Sequence, residues 1–198
     1  SAQFTPAFGI NVADFDGDGC EDIFLSQNFF AVQPQTSRND AGRGLLLKGH
    51  GRGAFATKDG AQSGIKIYGE QRGSAAADFD GDGRVDLVVS QNGGATTLLH
   101  NIGARPGLRV RLAGPARNPH AIGAVMRLEF EDKWGPSREV NCGSGYWSQN
   151  SLVQVLATPA VPTRIQIVWP GGRLTTSPLQ ESGKEVTVDF RAGSVTTK

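Results

Sequence analysis

The sequence predicts an all-β protein in two parts, a pair of blade-like sheets built on an internal repeat and then a β-sandwich or barrel-like domain. Three observations carry this. The acidic stretch Asp14-Phe15-Asp16-Gly17-Asp18-Gly19-Cys20-Glu21-Asp22 returns 64 positions later as Asp78-Phe79-Asp80-Gly81-Asp82-Gly83-Arg84-Val85-Asp86. Each copy runs into a short apolar segment, Ile23-Phe24-Leu25 or Leu87-Val88-Val89, and then into the same Ser-Gln-Asn; segments this short and apolar, bounded by turn residues, read as strands. Beyond Pro106-Gly107 the pattern becomes strict alternation, with Leu108, Val110 and Leu112 around Arg109 and Arg111, the period of a strand with one face buried.

Residues 1–105 are read as the repeat region and residues 106–198 as the second domain. Phe4 to Ala13 leads into the first acidic loop as a strand, and Asp22 to Gln27 leaves it as another. Residues 28–43 form a long polar loop, Leu45 to Lys48 a buried strand, Gly49 to Gly53 a glycine-rich turn, and Ala54 to Ala56 the start of the next strand. Residues 58–72 are a connection, and Gly73 to Ala77 re-enters the repeat. Thr96 to His100 is the second-copy counterpart of Leu45 to Lys48, which sets Leu98-Leu99-His100-Asn101 against Leu46-Leu47-Lys48-Gly49. Units of this kind bury their apolar faces on one another, and about three or more are normally needed. Two incomplete units close no ring, so the chain reads as the end of a longer protein, or the second domain covers the open face. In that domain, strands are expected at 108–112, 124–130, 138–142, 152–156, 164–169 and 185–190, each bounded by Gly, Pro, Asn or Ser.

Each acidic loop places carboxylates at positions 1, 3, 5 and 9, which repel one another unless a cation joins them. Calcium takes six to eight oxygen ligands in irregular geometry. Asp14, Asp16, Asp18 and Asp22 in one copy, and Asp78, Asp80, Asp82 and Asp86 in the other, are the expected ligands. Cys20 and Arg84, at position 7, would each offer a backbone carbonyl, which leaves their side chains free to vary. An EF-hand is excluded, because position 12 is Leu25 or Val89 rather than Glu and the flanks are strands. No His or Cys is spaced like a zinc site. The competing reading is a pair of solvated acidic turns.

Net charge is +1, but the first 105 residues hold 9 basic and 12 acidic side chains, and the remainder 11 and 7. Eight of those 12 acids are the expected ligands, so bound metal would reverse the sign of that half. The basic residues of the second half are scattered along strands, which disfavours nucleic-acid binding. No apolar run approaches the length of a membrane helix, and Ser1 to Pro6 shows no signal peptide, as a trimmed product would not. Cys20 and Cys142 are either free or bridged. No catalytic set emerges: Ser144 lies outside a Gly-x-Ser-x-Gly elbow, and His50, His100 and His120 read as isolated. Tyr146, Trp147 and Trp169, in glycine-rich loops, either stack on a ligand such as a sugar or plug the core. Arg173, beside Trp169, either stacks on the indole or is simply exposed; with the three aromatics it is a candidate ligand-binding residue.

Asp-Phe-Asp-Gly-Asp-Gly-x-x-Asp followed by a strand resembles the FG-GAP (VCBS-type) repeat, the calcium loop of integrin-like β-propeller blades. Asn118-Pro119-His120-Ala121-Ile122-Gly123-Ala124-Val125, Gly143-Ser144-Gly145-Tyr146-Trp147-Ser148-Gln149 and Val168-Trp169-Pro170-Gly171-Gly172-Arg173 resemble, in order and spacing, the ASPIC/UnbV domain. The two modules occur in this order in the cartilage acidic protein family and its bacterial relatives. The resemblance implies a secreted, extracellular or periplasmic protein whose propeller has further blades. The expected function is a calcium-binding binding or adhesion module with structural calcium. Its partners would be protein or glycan, and self-association through an open blade edge is a further possibility. The alternatives are part of a secreted or biosynthetic enzyme with a pocket between the domains, and a structural cap on the last blade.

Overall fold

The computed structural model describes residues 5–37, 42–131, 133–180 and 183–197. Phe4, at the start of the first expected strand, and residues 38–41 of the expected polar loop lie outside them. The first sheet is an antiparallel meander of β1 (Ala7–Ala13), β2 (Asp22–Gln27), β3 (Leu45–Gly49) and β4 (Phe55–Lys58). A single turn of helix, α1 (Gly60–Ser63), follows, its start fixed by an Asp59–Gln62 capping box and its end by left-handed Gly64. The second sheet is β5 (Glu70–Ala77), β6 (Asp86–Asn92) and β7 (Gly94–Leu99).

The two sheets are copies down to their irregularities. β1 slips register against β2 between Ala7 and Ile10, and β5 slips against β6 between Gln71 and Ser74, the same positions one repeat on. Leu47 pairs with Ile23 as Leu99 pairs with Leu87, so Lys48 and His100 are structural equivalents, as the sequence alignment of the copies expects. Phe24, Ile65, Ile67, Leu87 and Val89 form a buried cluster between the sheets. Neither sheet could bury these side chains alone, which is why the unit repeats.

The remaining strands are β8 (Leu108–Ala113), β9 (Val125–Phe130), β10 (Lys133–Trp134), β11 (Arg138–Glu139), β12 (Gln154–Leu156), β13 (Arg164–Val168), β14 (Leu174–Pro178), β15 (Glu185–Asp189) and β16 (Val195–Thr197). One sheet runs β10-β9-β13-β14, with β11 also on β9, and the other runs β12-β8-β15-β16. β8 and β15 pair in parallel. Val110 and Leu112 from one sheet, Met126, Leu128, Ile165 and Ile167 from the other, and Val186 and Val188 share one core. The architecture is therefore all-β, two blade-like sheets followed by a sandwich. Alternation in β8 falls as expected, Leu108, Val110 and Leu112 inward and Arg111 exposed.

Several elements differ from expectation. β14 and β16 lack an apolar run, since Leu174-Thr175-Thr176-Ser177-Pro178 and Val195-Thr196-Thr197 are polar outer strands that lean on β13 and β15. The strand expected over 138–142 is regular only at Arg138 and Glu139, and Val140 extends the pairing by donating to the Ala124 carbonyl and accepting from the Gly123 amide. Cys20 and Cys142 are free, so the bridge between halves does not form.

Trp169 is buried, with Nε1 donating to Thr175 Oγ1 at 2.8 Å and the indole edge-on to Phe190. Arg173 stacks on Phe190, 4.5 Å from its centroid, rather than on Trp169, because the indole faces are already covered by core. Trp169→Ala is expected to cost about 3–5 kcal/mol, read from the denaturant midpoint at constant m. An unchanged midpoint would show that the indole contributes no packing.

Candidate metal centre

Each acidic loop is held first of all by its own backbone amides. Asp14 accepts N–H bonds from Gly17 (2.6 Å), Asp18 (3.2 Å) and Gly19 (2.6 Å). Asp78 accepts the same three from Gly81 (2.8 Å), Asp82 (3.0 Å) and Gly83 (2.8 Å). The amides can all face one carboxylate because Gly17, Gly19, Gly81 and Gly83 hold positive φ. The ninth residue closes the loop. Asp22 takes the Phe15 amide on one oxygen and the Gly49 amide on the other, and Asp86 takes those of Phe79 and Asn101.

The two halves meet on these loops. The Arg105 amide donates to the Asp16 carbonyl and the Gly107 amide to the Gly83 carbonyl. A Cβ on Gly17 would stand 2.4 Å from the Arg105 carbonyl oxygen, so the close approach requires glycine. From the sandwich, Arg109 on β8 bonds both Asp78 and Glu185, and Arg138 on β11 bonds Glu21 and the Val12 carbonyl.

Of the sequence-predicted ligands, the structure brings Asp14, Asp16 and Asp18 together, and likewise Asp78, Asp80 and Asp86, with one oxygen of each within 4.8 Å of the others. Asp80, Asp82 and His100 form a further group on the same criterion. Asp22 turns both oxygens to backbone amides. Cys20 and Arg84 present their amides to Asp18 and Asp82, and Arg84 also reaches Asp82 through its side chain. His100 is not isolated as expected, since its Nε2 lies 3.0 Å from Asp80. The sequence reading also passed over Lys48, whose Nζ bonds Asp16 and Asp18 together. A lysine on an apolar strand facing an acidic loop was the signal available.

These charges set the electrostatics. Burial pushes the Asp22 carboxyl up to about 6, although the Gly49 and Phe15 amides pull it down. Burial likewise raises Asp14 against its three amides. Burial opposes the charge on Asp18, but the Lys48 hydrogen bond and the Cys20 amide outweigh it and hold that carboxyl low. A positive charge in the loop favours the ionised form of every one of these groups. The donor set is all oxygen in the first loop, and oxygen with one imidazole beside it in the second. That fits a hard divalent cation.

Of the other expected site residues, Tyr146 is half-exposed and Trp147 is 97% exposed, so neither plugs the core as Trp169 does. The rings stack on each other, 6.2 Å between centroids, and Trp147 holds a φ of 46°, an uncommon conformation for a bulky residue. An open cleft of about 650 Å³ lies between the two blade-like sheets, and Asp16, Lys48, Lys58 and His100 line it with Leu46 and Leu99.

The class defined so far is a repeat of acidic loops on small antiparallel sheets, tied to a β-sandwich. Residues 114–195 match the model of the ASPIC and UnbV family, a span that takes in the Tyr146-Trp147 loop and the sandwich strands from β9 to β15 but not β8. No curated protein matches the chain.

The Arg109 hydrogen bond, with Arg111 beside it, holds Glu185 below the usual carboxylate range against the opposing effect of burial. A lowered folded-state pKa stabilises the fold above the unfolded value, near 4.5, and that stabilisation is lost as pH falls through the folded value. Glu185→Gln is therefore expected to lower the melting temperature at pH 7 and to flatten its decline below about pH 4.5. An acid limb identical to that of the parent would show that the pair contributes nothing.

Proposed function

We propose that this chain is a calcium-stabilised binding module of the extracellular or periplasmic space, its loops acting as FG-GAP/VCBS-type calcium sites. The observation that carries the reading is the repetition of one loop architecture, carboxylates and amide bonds alike, in two copies 64 residues apart. Solvated acidic turns need no such precision. Asp14, Asp16 and Asp18, and Asp78, Asp80, Asp82 and Asp86, would hold the ions, with Asp22 and the carbonyls of Cys20 and Arg84 completing the shells. Calcium would supply positive charge where repulsion and burial now oppose ionisation. Millimolar calcium outside cells suits loops of this kind, and the ASPIC and UnbV match is in keeping with that location. Among the described residues no helix is long and apolar enough to cross a membrane.

The partner side of the proposal rests on Tyr146 and Trp147, a flat exposed aromatic pair of the kind that stacks on a sugar ring or a partner's side chains. A second reading, that the sandwich caps the blades, has its own support. The Ser151 amide donates to the Ala76 carbonyl, the Ala76 amide to Asn150 Oδ1, and Gly145 bridges Gly9. The loop thus pairs with strands β1 and β5 that would otherwise be open edges. The enzyme alternative has less to stand on. Two spaces lined by residues of both halves are about 10 and 20 Å³, far below a substrate pocket of several hundred Å³.

Calcium added to chelator-stripped protein is expected to bind with a Kd on the order of 10⁻⁴ M or tighter and to raise the melting temperature by linkage. Asp80→Ala should abolish binding in the second loop. Neither heat of binding nor a melting shift in the parent protein would remove calcium from the proposal.

A further inference from the structure

The two loops share a skeleton but not the side chain that faces it from the neighbouring strand. At the end of β3 stands Lys48, and at the equivalent place after β7 stands His100. The equivalence is set by register, Leu47 on Ile23 and Leu99 on Leu87. It is set again by the next residue, since the Gly49 amide lies 2.7 Å from Asp22 Oδ1 and the Asn101 amide 2.7 Å from Asp86 Oδ1.

What these two side chains do differs in kind. Lys48 is 8% exposed. Its ammonium bonds Asp16 and, at 2.5 Å, Asp18, two of the three carboxylates whose oxygens converge within 4.8 Å. An ammonium has three donors and no lone pair, so it can balance these charges but never ligate a metal. His100 touches one loop carboxylate, Asp80, at 3.0 Å, and its side chain is 45% exposed. Its ring lies edge-on to Phe79, where it can swing aside or lend a nitrogen to a cation. The second loop does have other cations, Arg84 on Asp82 and Arg109 on Asp78. Each holds one carboxylate of the loop and neither bridges two of them, Arg109 having its second partner, Glu185, outside the loop.

We propose that Lys48 is a tethered cation that competes with calcium for the first loop, so that the second loop fills first and the first loop requires the ammonium to be expelled. The inference rests on the calcium reading above and assigns the two loops unequal affinity. One device follows from it: below the calcium concentration that displaces Lys48, the ammonium keeps Asp16 and Asp18 together in calcium's place.

The test exchanges the two side chains. Calcium is titrated calorimetrically into chelator-stripped parent protein, Lys48→His, His100→Lys and Asp80→Ala, with melting temperatures recorded alongside. The parent is expected to bind one calcium at least about tenfold more tightly than the second, and Asp80→Ala to lose the tighter one. Lys48→His should tighten the weaker event by about tenfold or more, and His100→Lys should weaken the stronger by a similar factor. If Lys48→His fails to fold, Lys48→Met removes the charge at the same place, and His100→Lys still tests it in the other loop. Two equal calcium ions in the parent, unchanged by either exchange, would overturn the inference and leave the calcium reading intact. No calcium in any variant would overturn both.

Discussion

Eight aspartates confined to two nine-residue loops repel one another, and a fold that contains them must meet that repulsion first. The nearest answer is the peptide backbone. Three amides converge on Asp14 and three on Asp78, the local donor arrangement that favours an anion. The next answer is side-chain charge, supplied by Lys48 to the first loop and by Arg84 and Arg109 to the second, where the His100 imidazole also meets Asp80. Lys48, Arg109 and His100 come from outside the loop they serve. Neutralising the loops is thus what fastens β3, β7 and β8 around them, and the tie between blades and sandwich runs through the same charges.

Glycine follows from the same constraint. Gly17 and Gly83 must turn with positive φ so that successive amides face one carboxylate. The same two residues must also lie flat under the linker, where the Arg105 and Gly107 backbones cross them. Either demand alone would favour glycine, and together they leave no room for a Cβ. The linker therefore reads both loops through backbone contacts, Arg105 on the first and Gly107 on the second.

Much of this was legible in the sequence because it depends on local pattern. The repeat carries its own register: Ser26-Gln27-Asn28 and Ser90-Gln91-Asn92 fix where β2 and β6 end, and the Leu46/Leu98 alignment fixes β3 and β7. Alternation gave β8 without ambiguity. What escaped depends on surroundings that no local pattern states. β14 and β16 are polar strands held by neighbours. Trp147 and Trp169 sit in similar glycine-rich loops, yet one is 97% and the other 1% exposed, since β13 delivers Trp169 into the sandwich while the Tyr146-Trp147 turn crosses the open side of the blades. His100 looked isolated because Asp80 lies 20 residues away along the chain. The role of the acidic residues follows from spacing, whereas Lys48 and Arg109, which meet them, come from strands β3 and β8.

Open edges are the remaining liability of small sheets, and the two blade-like sheets face it at β1 and β5. Residues 143–151 answer it in part. They bridge to Gly9, satisfy both backbone groups of Ala76, and press the Tyr146 carbonyl so close to Gly73 that a Cβ there would stand 2.7 Å away. In the first copy the residue equivalent to Gly73 is Gly9, and a Cβ on it would meet Ser74 Oγ at 2.8 Å, a side chain of the next sheet. The sandwich loop therefore stands against the second sheet where that sheet stands against the first. A loop that substitutes for a missing neighbour must copy its backbone contacts, which explains the run of Gly143, Gly145 and small polar residues. It need not copy the neighbour's side chains: Tyr146 sets its ring edge-on against Phe8 of β1, and Trp147 is left to face outward.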